Sequence, residues 1–170
     1  DIYIMARWGE NQLLVNQGDG TYAERAAEFA LNMADHSAAA LFADFDNDGD
    51  SDVFLGRTLA PSMYLVNEHG RFVDRADQSE GELPQLVAAI AAADVDGDGQ
   101  SELIAASFKS GLWLFRPDSA GGLWPGEVID ADSSGFEHAT LAADLDGDGR
   151  DELYVAADDQ GAIRRYVWTD

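Results

Sequence analysis

The chain of 170 residues carries 33 acidic against 10 basic side chains, a formal net charge of −23, with 46% hydrophobic residues and no cysteine. That length and apolar content suit one domain with a real core, and the charge argues against nucleic acid or an anionic membrane as partner, since both need basic patches. Thiolate zinc sites are excluded, and no run approaches the roughly 18 apolar residues of a membrane span. Lys109 is the single lysine, which either a saline habitat or genomic base bias would explain.

In chain order, Asp1-Ile-Tyr-Ile4 and Leu13-Leu-Val-Asn16 predict two strands. Asn16-Gln-Gly-Asp-Gly20 supplies the positive-φ residues of a tight turn and leads into a third strand at Thr21–Glu24. Residues 25–36 link this unit to the next, with a helical turn expected inside Arg25–Met33. Ser37–Ala43 is a small-residue apolar run. Its alanines alone would suit a helix, but about seven residues bounded by turn chemistry predict a fully buried strand.

The same order recurs. Val53-Phe-Leu55, Met63-Tyr-Leu-Val66 and Arg71-Phe-Val-Asp74 follow as strands, with Asn67-Glu-His-Gly70 as a turn, and residues 75–85 form a link. Val87–Ala93, Leu103–Ala106 and Leu112–Phe115 repeat the pattern, and a Gly/Pro loop over residues 119–135 surrounds a weak fourth strand near Glu127–Ile129. Glu137–Ala143, Leu153–Ala156 and the less regular Ile163–Trp168 complete it. Four short antiparallel strands per repeat of about 50 residues is the spacing of a propeller blade. The expected fold is all-β: a partial blade over 1–35, blades over 36–85 and 86–135, and a partial blade over 136–170, together a segment of a larger propeller.

Between the first and second runs of a repeat lies an acidic loop, and three copies stand 50 residues apart, starting at Asp44, Asp94 and Asp144. Each reads D-x-D-x-D-G-x-x-(D/E). Alternate carboxylates converge on one point, and glycine at position 6 permits the sharp turn. The predicted ligands are Asp44, Asp46, Asp48 and Asp52 with the Asp50 carbonyl; Asp94, Asp96, Asp98 and Glu102 with the Gln100 carbonyl; and Asp144, Asp146, Asp148 and Glu152 with the Arg150 carbonyl. An all-oxygen set of this size suits Ca²⁺ at three sites better than Mg²⁺, which keeps more water, and disfavours zinc and copper. An EF-hand would put its glutamate at position 12, where Leu55, Ala105 and Val155 stand. Carboxylates about 4 Å apart repel by roughly 1 kcal/mol in water and about 4 at a surface-like dielectric, so metal binding is expected to couple to folding.

These loops, with the turns Asn16–Tyr22 and Asn67–Phe72, make the chain resemble the FG-GAP (VCBS-like) repeat, the blade of integrin-α-type calcium propellers. The literal FG…GAP words are absent, and Glu102 and Glu152 replace the usual aspartate. The resemblance implies calcium at the loop between first and second strands, an extracellular or periplasmic setting, and binding more often than catalysis. Calcium modules of the extracellular type have dissociation constants near 10⁻⁴–10⁻³ M, and such sites would be empty in a resting cytosol.

The expected role is a scaffold for protein–protein interaction or assembly, its partner being another protein or the remainder of a longer polypeptide, with structural calcium and no catalysis. Carbohydrate recognition is the alternative, through Trp8, Trp113, Trp124 or Trp168, although Trp113 is expected to pack between blades and the others to fill edges. A polysaccharide lyase or hydrolase is the enzyme reading; Lys109 and the scattered His36, His69 and His138 offer little for it. Asp19, Asp158 and Asp159 read as solvated turns.

Overall fold

The computed structural model describes residues 1–34, 36–75, 83–84, 86–116, 124–133, 139–157 and 161–169. His138, Asp158, Asp159, most of the 75–85 link and parts of the 119–135 loop lie outside the described residues.

Each expected run of apolar residues forms a strand, and each sheet is a meander in chain order. The first sheet is β1 (Ile2–Ile4), β2 (Gln12–Asn16) and β3 (Tyr22–Glu24). A single helical turn, α1 (Ala26–Phe29), leads onward and ends at Ala30, whose φ is 60°. The second sheet is β4 (Ser37–Ala43), β5 (Asp52–Arg57), β6 (Met63–Asn67) and β7 (Phe72–Asp74). The third is β8 (Val87–Ala93), β9 (Glu102–Ser107), β10 (Gly111–Phe115) and β11 (Gly126–Asp130). The fourth is β12 (Thr140–Ala143), β13 (Glu152–Ala157) and β14 (Ala162–Tyr166). All the described pairings are antiparallel, and the separate three- and four-stranded meanders have the make-up of β-propeller blades. No helix among the described residues is long and apolar enough to cross a membrane.

The core lies between the sheets. Leu13, Leu31, Val53, Leu55 and Leu65 join the first two. Phe45, Phe54, Tyr64, Leu103, Phe115 and Trp124 join the second and third. Val95, Ile104, Leu112, Leu114, Leu153 and Val155 join the third and fourth. Full burial of a Leu, Val or Phe side chain stabilises by about 1.5–3 kcal/mol, so these interfaces hold the blades together.

Two expectations fail here. The alanine-rich first strands are not uniformly buried. β8 is the most enclosed, with Ala89, Ala91 and Ala93 at 8%, 7% and 1% exposure, but β4 and β12 are largely half-exposed. β8 has an alanine strand beside it on each side, and β4 and β12 among the described residues do not. The buried strands are β9 throughout and β5 in all but Arg57, one position further along each meander. Trp124 was expected at an edge; it is 2% exposed, with its ring 4.0 Å from that of Tyr64 and 5.6 Å from that of Phe45. It belongs to the buried cluster that joins the second and third sheets, with Phe45, Tyr64 and Phe115. Trp113 does pack beside this cluster, stacked on Phe115 at 5.9 Å, and Trp8 is exposed, edge-on to His36.

Close approach explains one glycine. A Cβ on Gly56 in β5 would stand 3.0 Å from the Cβ of Val87 in β8. Large apolar side chains remain exposed on the two outermost sheets, among them Ile2 and Ile4 on β1, Leu141 on β12 and Ile163 on β14.

Candidate metal loops

The three acidic loops join β4 to β5, β8 to β9 and β12 to β13, so the meander repeats them at one end of successive blades. Their hydrogen bonds repeat too. The position-1 carboxylate is the hub. Asp44 accepts from the N–H groups of Asp48 (3.1 Å) and Gly49 (3.0 Å). Asp94 accepts from Gly97 (2.7 Å), Asp98 (3.1 Å) and Gly99 (2.9 Å). Asp144 accepts from Gly147 (2.6 Å), Asp148 (3.2 Å) and Gly149 (3.0 Å). The position-5 carboxylates of Asp48, Asp98 and Asp148 each accept from the N–H of position 7, at 2.9, 2.7 and 2.9 Å. Such charge-assisted bonds offset part of the repulsion between the acids.

Two backbone positions per loop are left-handed. Position 6 is Gly49, Gly99 and Gly149, at φ 95°, 87° and 90°. Position 4 is Asn47, Gly97 and Gly147, at φ 60°, 80° and 79°. Sequence reasoning missed position 4, although Asn, Gly and Gly are the residues that tolerate this conformation. Position 2 was missed as well. Phe45 and Val95 are 2% and 0% exposed and anchor their loops in the core, whereas Leu145 is 68% exposed.

The loops gather carboxylates. Oxygens of Asp44, Asp46 and Asp48, of Asp94, Asp96 and Glu102, and of Asp144, Asp146 and Asp148 lie within 4.8 Å of one another in each group. Asp52, Asp98 and Glu152 stand outside these groupings. Asp50, Gln100 and Arg150 sit at position 7 with their N–H groups on the position-5 acids. The donors are hard anionic oxygens spaced so that one small cation could touch several, which fits calcium chemistry.

The position-9 acids are buried, Asp52, Glu102 and Glu152 at 0%, 4% and 5% exposure. Each accepts the N–H of position 2: Phe45 at 3.3 Å, Val95 at 2.9 Å and Leu145 at 2.9 Å. The longer arm of glutamate therefore preserves this bond. Asp52 also accepts from the Tyr64 hydroxyl at 3.0 Å and the Asn67 N–H at 2.9 Å. Asp1 accepts the N–H of Asn16 at 2.8 Å, the counterpart of the Asn67 bond in the first sheet.

Burial raises the Asp52 carboxyl above its ordinary range despite these donors. Burial, then the neighbouring Asp52 and Asp48, raises Asp46. Burial pushes Glu102 up to about 7, helped by Asp96, Asp98 and Asp94 and opposed by the Val95 bond. Glu152 moves the other way, held well below the carboxylate range by the Leu145 N–H and Arg165.

Adjacent loops touch. The Asp151 N–H donates to the Asp94 carbonyl at 2.7 Å, and the Asp94 N–H donates to the Asp151 carboxylate at 3.0 Å. Beside the first loop lies a cavity of about 380 Å³ lined in part by Asp46, Asp48, Asn67, His69, Arg75 and Trp124.

Known proteins share this organisation. The FG-GAP-like repeat model matches residues 1–55, 48–105 and 94–155. Cartilage acidic protein 1 of Homo sapiens is 34% identical over 125 residues, which is 68% of this chain and 19% of that protein. Its Xenopus tropicalis counterpart is 32% identical over 108 residues, 61% of this chain and 16% of that one. The chain thus spans about a fifth of the length of the curated relatives it matches. Among solved structures, an Agrocybe aegerita lectin described as specifically recognising non-reducing terminal N-acetylglucosamine superposes with a TM-score of 0.56 at 17% identity, covering 94% of this chain and 47% of that one. Matched by the repeat model along most of its length, the chain belongs to the FG-GAP-like repeat family.

Proposed function

We propose that the chain is a calcium-stabilised propeller scaffold for protein–protein assembly, working outside the cytoplasm and without catalysis. The observation that carries this reading is the gathering of three acid oxygens within 4.8 Å of one another in each of three loops at the same place in the repeat. Calcium, when bound, would supply the positive charge these oxygens lack. The residues that would hold it are Asp44, Asp46, Asp48 and Asp52, Asp94, Asp96, Asp98 and Glu102, and Asp144, Asp146, Asp148 and Glu152, with the position-7 carbonyls of Asp50, Gln100 and Arg150. The chain's own part is to fix those oxygens through the position-1 hub and the buried position-9 acid.

Apolar side chains exposed on the outermost sheets support a protein partner, or further polypeptide, as what the blades pack against. The extracytoplasmic setting rests on the millimolar-range affinity of such calcium modules. The test is thermal unfolding with calcium against a chelator. At tenfold excess over the dissociation constant each occupied site stabilises by about 1.4 kcal/mol, so three sites should raise the melting temperature by roughly 8–17 °C. An unchanged melt removes the structural metal.

Carbohydrate recognition is the second reading, favoured by the cavity beside the first loop, where Asn67, His69 and Arg75 offer polar groups. Tyr64 and Trp124 also line it, but each is only 2% exposed, a poor stacking platform. A glycan array separates the two readings: the scaffold binds no sugar. Against catalysis, His36 packs on Trp8 and His69 occupies a hairpin turn in another part of the chain. Acidic polysaccharides should survive incubation with the protein uncut.

A further inference from the structure

The residue facing the position-9 acid from the next strand differs in all three loops. Register places Tyr64 opposite Phe54, Leu114 opposite Ile104 and Arg165 opposite Tyr154, so these three are equivalent. In the first loop the Tyr64 hydroxyl donates to Asp52, a neutral donor on a buried acid. In the second, Leu114 has no polar side-chain atom to offer Glu102. In the third, the Arg165 guanidinium donates from Nη2 to Asp146 Oδ2 at 2.9 Å and to Glu152 Oε1.

We infer that Arg165 is the resident cation of the third loop, and that it competes with a metal ion for the oxygens of Asp146 and Glu152. The inference rests on the calcium reading above and grades its three sites. Asp146 and Glu152 are both among the ligands proposed for that loop. A guanidinium that spans them already neutralises one of the loop's negative charges and uses two of its acceptors. An incoming ion must displace those bonds, so the third site is the weakest, by about tenfold. The factor is modest because the Arg165 side chain is 46% exposed and solvent screens the pair. In return, the third loop keeps Arg165 as a counter-charge under metal depletion.

The experiment is calcium titration of the full chain by calorimetry at low ionic strength, beside melting in chelator. The wild-type chain should bind two ions more tightly and one about tenfold more weakly, and Asp148→Asn should abolish the weak class alone. Arg165→Met, which keeps the apolar stem, should tighten the weak class about tenfold, leave the other two unchanged, and lower the melting temperature in chelator but not in saturating calcium. Arg165→Lys, a point charge without the planar fork, should fall between, and it serves if the methionine variant fails to fold. An unchanged or weakened third class in both variants overturns the competition. Should no loop bind calcium, the scaffold reading fails by itself, and the chelator melt still decides whether Arg165 neutralises the loop: an unaltered melt in Arg165→Met refutes that role.

Discussion

Removing one oxygen from Tyr64 tests how the first loop is tied to the core. Tyr64→Phe keeps the ring against Phe45 and Trp124 and deletes the 3.0 Å bond to Asp52 Oδ2. Asp52 is fully buried, and its remaining donors are the N–H groups of Phe45, at a long 3.3 Å, and Asn67 at 2.9 Å. A hydrogen bond to a charged, buried partner is worth about 1.5–3 kcal/mol. Urea unfolding at pH 7 should therefore lose about that much, with an unchanged slope, and the melting temperature should drop by roughly 3–12 °C. A double-mutant cycle with Asp52→Ala, which leaves the hydroxyl no acceptor at that position, isolates the pair and should return at least about 1 kcal/mol of coupling. If the two substitutions instead add to within about 0.5 kcal/mol, the hydroxyl does not support the acid and the reasoning is wrong.

Glu102 has its carboxyl pushed up to about 7, so folding favours its protonated form. In chelator, the stability this contributes is present below the ordinary glutamate value of about 4.3 and lost as pH rises toward 7. Glu102→Gln should show no such loss and gain on the wild type between pH 4.5 and 8 in chelated melts, while responding less to calcium. Asp130 behaves oppositely: burial would raise its carboxyl, but the Tyr166 hydroxyl at 2.6 Å, with Arg164 and the N–H groups of Asp132 and Ser133, lowers it. Its contribution is present above about pH 4 and lost as acid titrates the folded group, so Tyr166→Phe should cost about 1–2 kcal/mol at pH 7 and progressively less in denaturation curves below pH 4. Gly56→Ala places a methyl 3.0 Å from Val87 and should cost about 1–3 kcal/mol in urea, with Val87→Ala restoring part. Asn47→Ala, at φ 60°, should cost about 1 kcal/mol by the same assay, and Asn47→Gly should be close to neutral.

The repeat, the strands and the three acidic loops were legible because each rests on local chemistry: turn residues, apolar runs and alternating carboxylates. Burial was less so. Alanine in Ser37–Ala43 suggested enclosure, yet burial depends on which sheets stand on either side, and that is a property of packing around the propeller. Trp124 was hidden for the same reason, since its interface partners Phe45 and Tyr64 are far away in the chain. Position 4 could have been read from Asn47, Gly97 and Gly147, had the turn been assigned two left-handed residues instead of one. Arg165 was obscured by spacing. The strand pairs join Phe54 to Tyr64 and Ile104 to Leu114 across ten positions, but Tyr154 to Arg165 across eleven. A strict 50-residue alignment therefore puts Arg164 where Arg165 stands, and Arg164 instead bonds Asp130 across the blade interface.

The loops are wedged into the structure from below, which is why their electrostatics bear on the whole fold. In the first and second, an apolar position-2 residue, Phe45 or Val95, enters the core between blades, and the buried position-9 acid ties the same backbone N–H. A loop that splayed under its own charge would pull that apolar anchor out, at about 1.5–3 kcal/mol per side chain. In the third loop, Leu145 is exposed and gives no such hold. Its backbone is held by the Glu152 bond to Leu145, by Arg165 on Asp146, and by the two bonds between Asp151 and Asp94. Where the apolar anchor is absent, an ionic and an inter-loop attachment take its place. Because Asp94 is also the hub of the second loop, the third loop's hold is fastened to its neighbour.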